Sequence, residues 1–206
     1  MMAAMKRINA FLVIILYIIS LTTCRQIPSG MEKAFGCEVG KTTYEEFCNL
    51  FPKNCREDSL GFSWNTDFPF LGGGRGSSGV LLSETLKEGS YFGTVYQNIH
   101  MGFDNGVLSS ISFEVNDNAN EIDNIIELFR ARFSRYYDSE EANPSFDGGI
   151  AHHQIFFNDG LTTLLLWKRD YSQCDPSVWR TNGTSLEISI LNNRLMKYYL
   201  DIIRTK

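Results

Sequence analysis

The sequence predicts an α+β fold, a mainly antiparallel sheet with helices on one face. Three observations carry this. Apolar residues alternate with polar or small ones in at least four separate runs, the period of half-buried strands. Two pairs of these runs are joined by tight-turn sequences, Phe103-Asp104-Asn105-Gly106-Val107 and Phe157-Asn158-Asp159-Gly160-Leu161, whose Asn, Asp and Gly residues tolerate positive φ. Between the two pairs, Ile122, Ile125, Ile126, Phe129, Phe133 and Tyr136 trace one stripe of a helix. Strands joined by tight turns are antiparallel. The second half echoes the first in the manner of two fused helix-plus-hairpin repeats.

The chain has 206 residues, of which 43% are hydrophobic, enough for one well-cored domain. Residues 1–24 stand apart. Lys6 and Arg7 precede an almost wholly apolar run through Thr23, the pattern of a secretory signal peptide. An uncleaved anchor is the alternative, but the run falls short of the about 20 apolar residues a spanning helix needs. Leu21-Thr22-Thr23-Cys24 resembles the lipobox of bacterial lipoproteins, which implies a lipid on Cys24. Thr23 stands where that motif prefers Gly, Ala or Ser, and cleavage after Cys24 or slightly later competes. Without residues 1–24 the 19 basic residues fall to 17 while all 24 acidic ones stay, so the remainder is acidic. No basic patch points to nucleic acid.

Residues 25–33 read as a polar tether and 34–206 as a single domain. Phe35–Val39 is a candidate short strand. Thr43–Phe51 is a helix, with Thr42–Glu45 and Thr43–Glu46 both spaced as a capping box, and Pro52 ends it. In 54–79, Phe62, Trp64, Phe68 and Phe70 fall at even positions, which places four rings on one side of an extended segment. Gly72–Gly79 reads as a flexible loop. Val80–Thr85 and Tyr91–Phe103 read as strands, with a short helix as the alternative for the first, since Leu82 and Leu86 are four apart. Val107–Val115 closes the first hairpin, with Val95, Ile99, Met101 and Phe103 facing inward on one strand and Val107, Ile111, Phe113 and Val115 on the other. Ser139–Gly149 reads as loop. Ile150–Phe157 and Leu161–Trp167 form the second hairpin, and Tyr171–Gly183 is loop. Thr184–Leu191 is a strand, and Leu195, Tyr199, Ile202 and Ile203 suggest a last helix capped by Asn192 or Asn193.

Four cysteines remain beyond the leader. An exported chain permits two disulfides, and the expected pairs are Cys48–Cys55 and Cys37–Cys174. A zinc site is the weaker reading, since no C-x-x-C pair occurs and no histidine lies near Cys48 or Cys55; a pair of free buried thiols is the other alternative.

The run Gly36–Phe47, followed by the Phe103–Leu108 hairpin sequence, resembles small exported bacterial α/β envelope proteins in outline. The outer-membrane-assembly lipoproteins and the β-lactamase-inhibitory proteins are similar in this respect. The resemblance covers two stretches and implies a non-catalytic envelope protein; it identifies no partner and no site residue.

Few residues offer chemistry. Gly74-Arg75-Gly76-Ser77-Ser78-Gly79 matches G-x-G-x-x-G literally, but Pro69 precedes it and no helical pattern follows, so a dinucleotide site is not expected. His152 and His153 are adjacent, and neighbours on a strand point to opposite faces. A metal-dependent hydrolase would need one of them with Asp147 or Asp159. No G-x-S-x-G elbow occurs, and no cofactor is expected. Asn182-Gly183-Thr184 is a glycosylation acceptor in a eukaryotic source and an ordinary turn otherwise. The aromatic row Phe62, Trp64, Phe68, Phe70 with Arg75 is the best binding candidate, because aromatic and Arg anchors dominate interfaces. The leading expectation is an exported protein of the bacterial periplasm, or one anchored outside the membrane. It would act on another protein as an assembly factor, inhibitor or immunity-type protein. The alternatives are the metal-dependent hydrolase and a small-ligand-binding periplasmic protein with its groove beside Trp64.

Overall fold

The computed structural model describes residues 29–55, 77–82, 86–87, 89–117, 119–141, 150–172, 174, 183–197 and 200–201. Its elements are β1 (Lys33–Ala34), β2 (Cys37–Glu38), α1 (Tyr44–Leu50), β3 (Ser77–Leu82), β4 (Gln97–Asp104), β5 (Val107–Asp117), α2 (Ala119–Phe133), β6 (Tyr137–Glu141), β7 (Ala151–Asn158), β8 (Thr162–Asp170) and β9 (Thr184–Asn192). β1 and β2 form a small hairpin. The other seven strands make one sheet in the order β3-β4-β5-β9-β8-β7-β6. Every pairing in it is antiparallel, and the α+β class holds. The chain twice runs a helix and then a meander, each meander filling the sheet from an outer edge inward. β5 and β8 run parallel to one another, so the antiparallel β9 fits between them.

The turns behave as their residues demand. Asn105 and Gly106 both have positive φ, 49° and 78°, the two-residue reversal that matches strand twist. Thr43 caps α1. Its hydroxyl accepts from Glu46 N and Glu46 Oε2 accepts from Thr43 N, so the predicted box forms. The Asn192 side-chain oxygen accepts from the backbone N–H of Arg194 and Leu195 and starts the C-terminal helical turn. The Cys48–Cys55 disulfide ties α1 to the loop after it.

Cross-strand partners share a face, and the register therefore sorts the sheet into two. Met101, Ile111, Ile190 and Leu164 line up on one face, as do Phe113, Ile188, Leu166 and Ile155. Both helices and the β1–β2 hairpin cover this face. Phe47 of α1 meets Phe103 at 5.3 Å. Phe35 meets Phe113 edge-on at 5.0 Å, and Phe133 of α2 lies 6.2 Å from Phe157. Ile122, Ile125, Ile126, Phe129 and Phe133 are buried as the helical stripe requires. Each fully buried side chain of this size contributes about 1.5–3 kcal/mol. The second face carries Ser110, Ser112, Ser185 and Ser189, all buried, with Leu191 packed against Met196 and Leu200 of the C-terminal turn. No helix among the described residues is long and apolar enough to cross a membrane.

Several expectations need correction. Phe35–Val39 is no single strand. Phe35 and Gly36 take positive φ of 53° and 76° and turn the chain between β1 and β2. Tyr91–Gly93 is a short 3-10 turn, so β4 begins at Gln97. Ser77–Gly79 belong to β3 rather than to a loop. Tyr137–Glu141 is an edge strand where a loop was expected from residue 139; all five residues are exposed, so it has no inward alternation to betray it. The tether is packed from Ser29 onward, with Met31 fully buried. The inward phase fails at both irregularities of the first hairpin. Asn98 has φ 51°, and behind it Tyr96 is buried while Val95 is 55% exposed. Ser109 is the extra residue of a bulge, and Leu108 rather than Val107 is buried.

The expected Cys37–Cys174 disulfide does not form, and Cys37 is a buried thiol. Cys37 belongs to the core under the helices, and the chain just after it bonds Leu108 at the start of β5. Cys174 follows the far end of β8, where Asp170 pairs with Thr184 and Thr184 with Asp117 at the end of β5. Ten residues of strand separate those two ends.

Candidate functional site

Side chains two apart on a strand share a face. On β8 this puts Trp167 and Arg169 side by side on the second face of the sheet. The register brings Glu187 of β9 opposite Trp167, Glu114 of β5 opposite Glu187, and His152 of β7 opposite Arg169. Five polar or aromatic side chains from four strands therefore converge near the middle of the sheet.

The Arg169 guanidinium lies 4.6 Å from the centre of the Trp167 ring, a cation–π contact. It bonds the Glu187 carboxylate directly and lies 3.8 Å from Glu114 Oε1. Asn98, held at its positive φ, donates to Glu114 Oε2 at 2.7 Å. Trp167 donates its indole N–H to His152 Nδ1 at 3.0 Å. A neutral His152 therefore carries its proton on Nε2. The side chains of Arg169, Glu187 and Glu114 are 19%, 25% and 24% exposed. They are partly withdrawn from water but still reachable. Arg169 Nε is buried without a partner. His100 lies on the same face, opposite Ser112. Burial pushes its pKa down, against the pull of Glu114.

This cluster is built to hold a shape. The arginine is matched by two carboxylates, and the Nδ1 of the histidine already accepts a hydrogen bond. The Ser189 hydroxyl is 3.4 Å from Glu187. An arginine stacked on a tryptophan and bonded to a carboxylate is held in one orientation.

The two histidines do diverge. His152 faces this cluster. His153 faces the helices, where its Nε2 is 2.7 Å from Glu140 Oε1, and that oxygen also accepts from Arg130 at 2.6 Å. Asp159 sits in the β7–β8 turn, accepting from Leu161 N and Thr162 N, six residues along β7 from His153. The pair and Asp159 are not brought together. No group of three or more His, Cys, Asp or Glu residues suited to a metal occurs among the described residues. Phe62, Trp64, Phe68, Phe70, Arg75, Cys24 and Asp147 lie outside the described residues. The sequence reading missed Arg169, Trp167, Glu187 and Glu114. The available signal was Trp-x-Arg in an alternating strand, where an outward polar stripe carries a large ring.

No protein-family model matches the sequence, and neither a curated protein nor a solved structure is found to be similar to it.

Proposed function

We propose that this is a non-catalytic exported protein that works by docking against another protein, with Trp167 and Arg169 at the contact. The observation that carries this reading is the Arg169–Trp167 stack fixed between two carboxylates. Arginine and tryptophan are the residues most enriched where binding energy concentrates, and a side chain already held in place loses less entropy on binding. The export half of the proposal rests on the charged and apolar leader pattern of residues 1–24, with Cys24 as the lipid acceptor. Mass spectrometry of the mature N-terminus tests the address: a leader retained unprocessed through Cys24 and beyond would overturn it.

The docking half is tested by cross-linking the purified protein to envelope membranes of its source organism. Wild type is compared with Trp167→Ala and Arg169→Ala, each first shown to be folded by its thermal transition. The expected outcome is one specific cross-linked species, reduced at least ten-fold by either substitution. Equal recovery with all three proteins would move the contact off this face and defeat the proposal.

A further inference from the structure

A second polar convergence joins the start of the described chain to the β7–β8 turn. The Ser29 hydroxyl lies 2.5 Å from Asp159 Oδ2 and 3.3 Å from Glu32 Oε2. A hydroxyl has one proton to donate, and the shorter contact takes it. Asp159 is well supplied, because its Oδ1 also accepts from Leu161 N at 2.9 Å and Thr162 N at 2.7 Å. Glu32 is not. Only 8% of the residue is exposed, its Oε1 is buried with no partner, and the one contact of its Oε2 among the described residues is the Ser29 hydroxyl, at the longer 3.3 Å. The neighbouring cations are engaged elsewhere. Arg132 lies over the rings of Tyr91, Phe92 and Phe133, and Lys41 pairs with Glu38. Neither forms an ion pair with Glu32 among the described residues. A buried carboxylate with no donor is costly unless something positive meets it.

We propose that Glu32, Asp159 and Ser29 form a calcium site that fastens the N-terminal segment onto the β7–β8 turn. The ligand set is all oxygen, which suits a hard cation and not zinc. Calcium accepts irregular spheres of six to eight oxygens at about 2.3–2.6 Å, with opposite ligands about 5 Å apart. Both carboxylates reach the same hydroxyl, at 2.5 and 3.3 Å, so Asp159 Oδ2 and Glu32 Oε2 are no more than 5.8 Å apart, close to that span. Glu32 supplies two oxygens, Asp159 Oδ2 and Ser29 Oγ one each, and water completes the sphere. Magnesium demands a tighter octahedron and sheds its waters reluctantly, which disfavours it here. Bound calcium would leave Met31 and the β1–β2 hairpin seated on the core.

The test uses the purified full chain, stripped with a chelator and titrated with calcium chloride or magnesium chloride. Thermal unfolding and titration calorimetry are the readouts. At a free calcium one hundred times the dissociation constant, the expected rise in Tm is roughly 5–10 °C. Calorimetry gives one site per chain, and magnesium gives a much smaller rise. Glu32→Gln abolishes the calcium response yet is as stable as wild type, or more so, in chelator, because it removes the charge that lacks a donor. Asp159→Asn lowers calcium affinity at least ten-fold and serves as the second variant should Glu32→Gln fail to fold. No calcium-dependent rise in wild type, or an undiminished rise in both variants, would overturn the proposal and leave Arg132 as the counter-charge of Glu32.

Discussion

Replacing Arg169 with methionine keeps most of the side-chain volume and deletes the charge that pairs with both Glu114 and Glu187. These two glutamates are direct cross-strand partners, so their Cβ atoms are about 5 Å apart. At an effective dielectric of 20–40, two unit charges 5–6 Å apart repel by about 1.5–3 kcal/mol. Their side chains are about one-quarter exposed, and solvent screening reduces that to about 1–2 kcal/mol. Loss of the charge-assisted bond to Glu187 adds about 1 kcal/mol. Arg169→Met should therefore destabilise the protein by about 2–3 kcal/mol, read as a lower urea midpoint with unchanged slope. The loss has an electrostatic signature. Salt screens partly exposed like charges, so the deficit should shrink by at least half in about 1 M sodium chloride. Adding Glu187→Gln to Arg169→Met should recover more than 1 kcal/mol at pH 7. A deficit under 0.5 kcal/mol, or one indifferent to both salt and Glu187→Gln, would refute the clamp.

Three further outcomes follow from the fold. Replacing Cys48 and Cys55 together with serine opens a loop whose ends are seven residues apart and should cost about 2.5 kcal/mol by chain entropy, measured by urea denaturation. Burial pushes the Cys37 thiol up to about 11 from 9.0. Below pH 9 both states keep the proton and the stability is whole. Between pH 9 and 11 only the unfolded chain releases it, so stability falls across that window, and Cys37→Ala should flatten the fall in urea midpoint. At pH 8, iodoacetamide should spare Cys37 in the native protein and label it in urea, as mass spectrometry of the labelled peptide would show. Tyr96→Ala should cost about 3–5 kcal/mol, since the ring is buried against Phe35 and Phe113 and its hydroxyl donates to Tyr91 O. Val95→Thr should change the urea midpoint by less than the equivalent of about 0.5 kcal/mol.

The fold was legible where local chemistry and burial agree. Asn105-Gly106, the Thr43–Glu46 box and the stripe from Ile122 to Phe133 each specify a backbone conformation and a buried face at once. It was illegible where one residue breaks a period. Asn98 and Ser109 are ordinary strand neighbours in composition, and nothing local says that one takes positive φ and the other is extra. A single inserted residue reverses the phase of everything behind it, which is how Val95 and Val107 were mistaken for Tyr96 and Leu108. Edge strand β6 was hidden for the opposite reason. With no face to bury, Tyr-Asp-Ser-Glu-Glu carries charges that protect an edge from pairing further, and such a sequence looks like a loop.

The site was less legible than the fold, and the cause is topological. Trp167, Arg169 and His152 meet within the β7–β8 hairpin, but Glu187 and Glu114 join them only because β9 inserts between β5 and β8, and no short-range pattern reports that insertion. A cluster along the chain such as His152–His153 is visible locally, and strand alternation sends that pair to opposite faces, as the sequence predicts. The energetics of the cluster argue for its purpose. Two carboxylates and a guanidinium drawn three-quarters out of water stabilise a fold little better than well-packed apolar side chains would. The apolar face beneath the helices already supplies the cohesion. A charge array that adds little to stability, yet fixes the orientation of an arginine and a tryptophan on the other face of the sheet, is the arrangement on which the docking we propose rests.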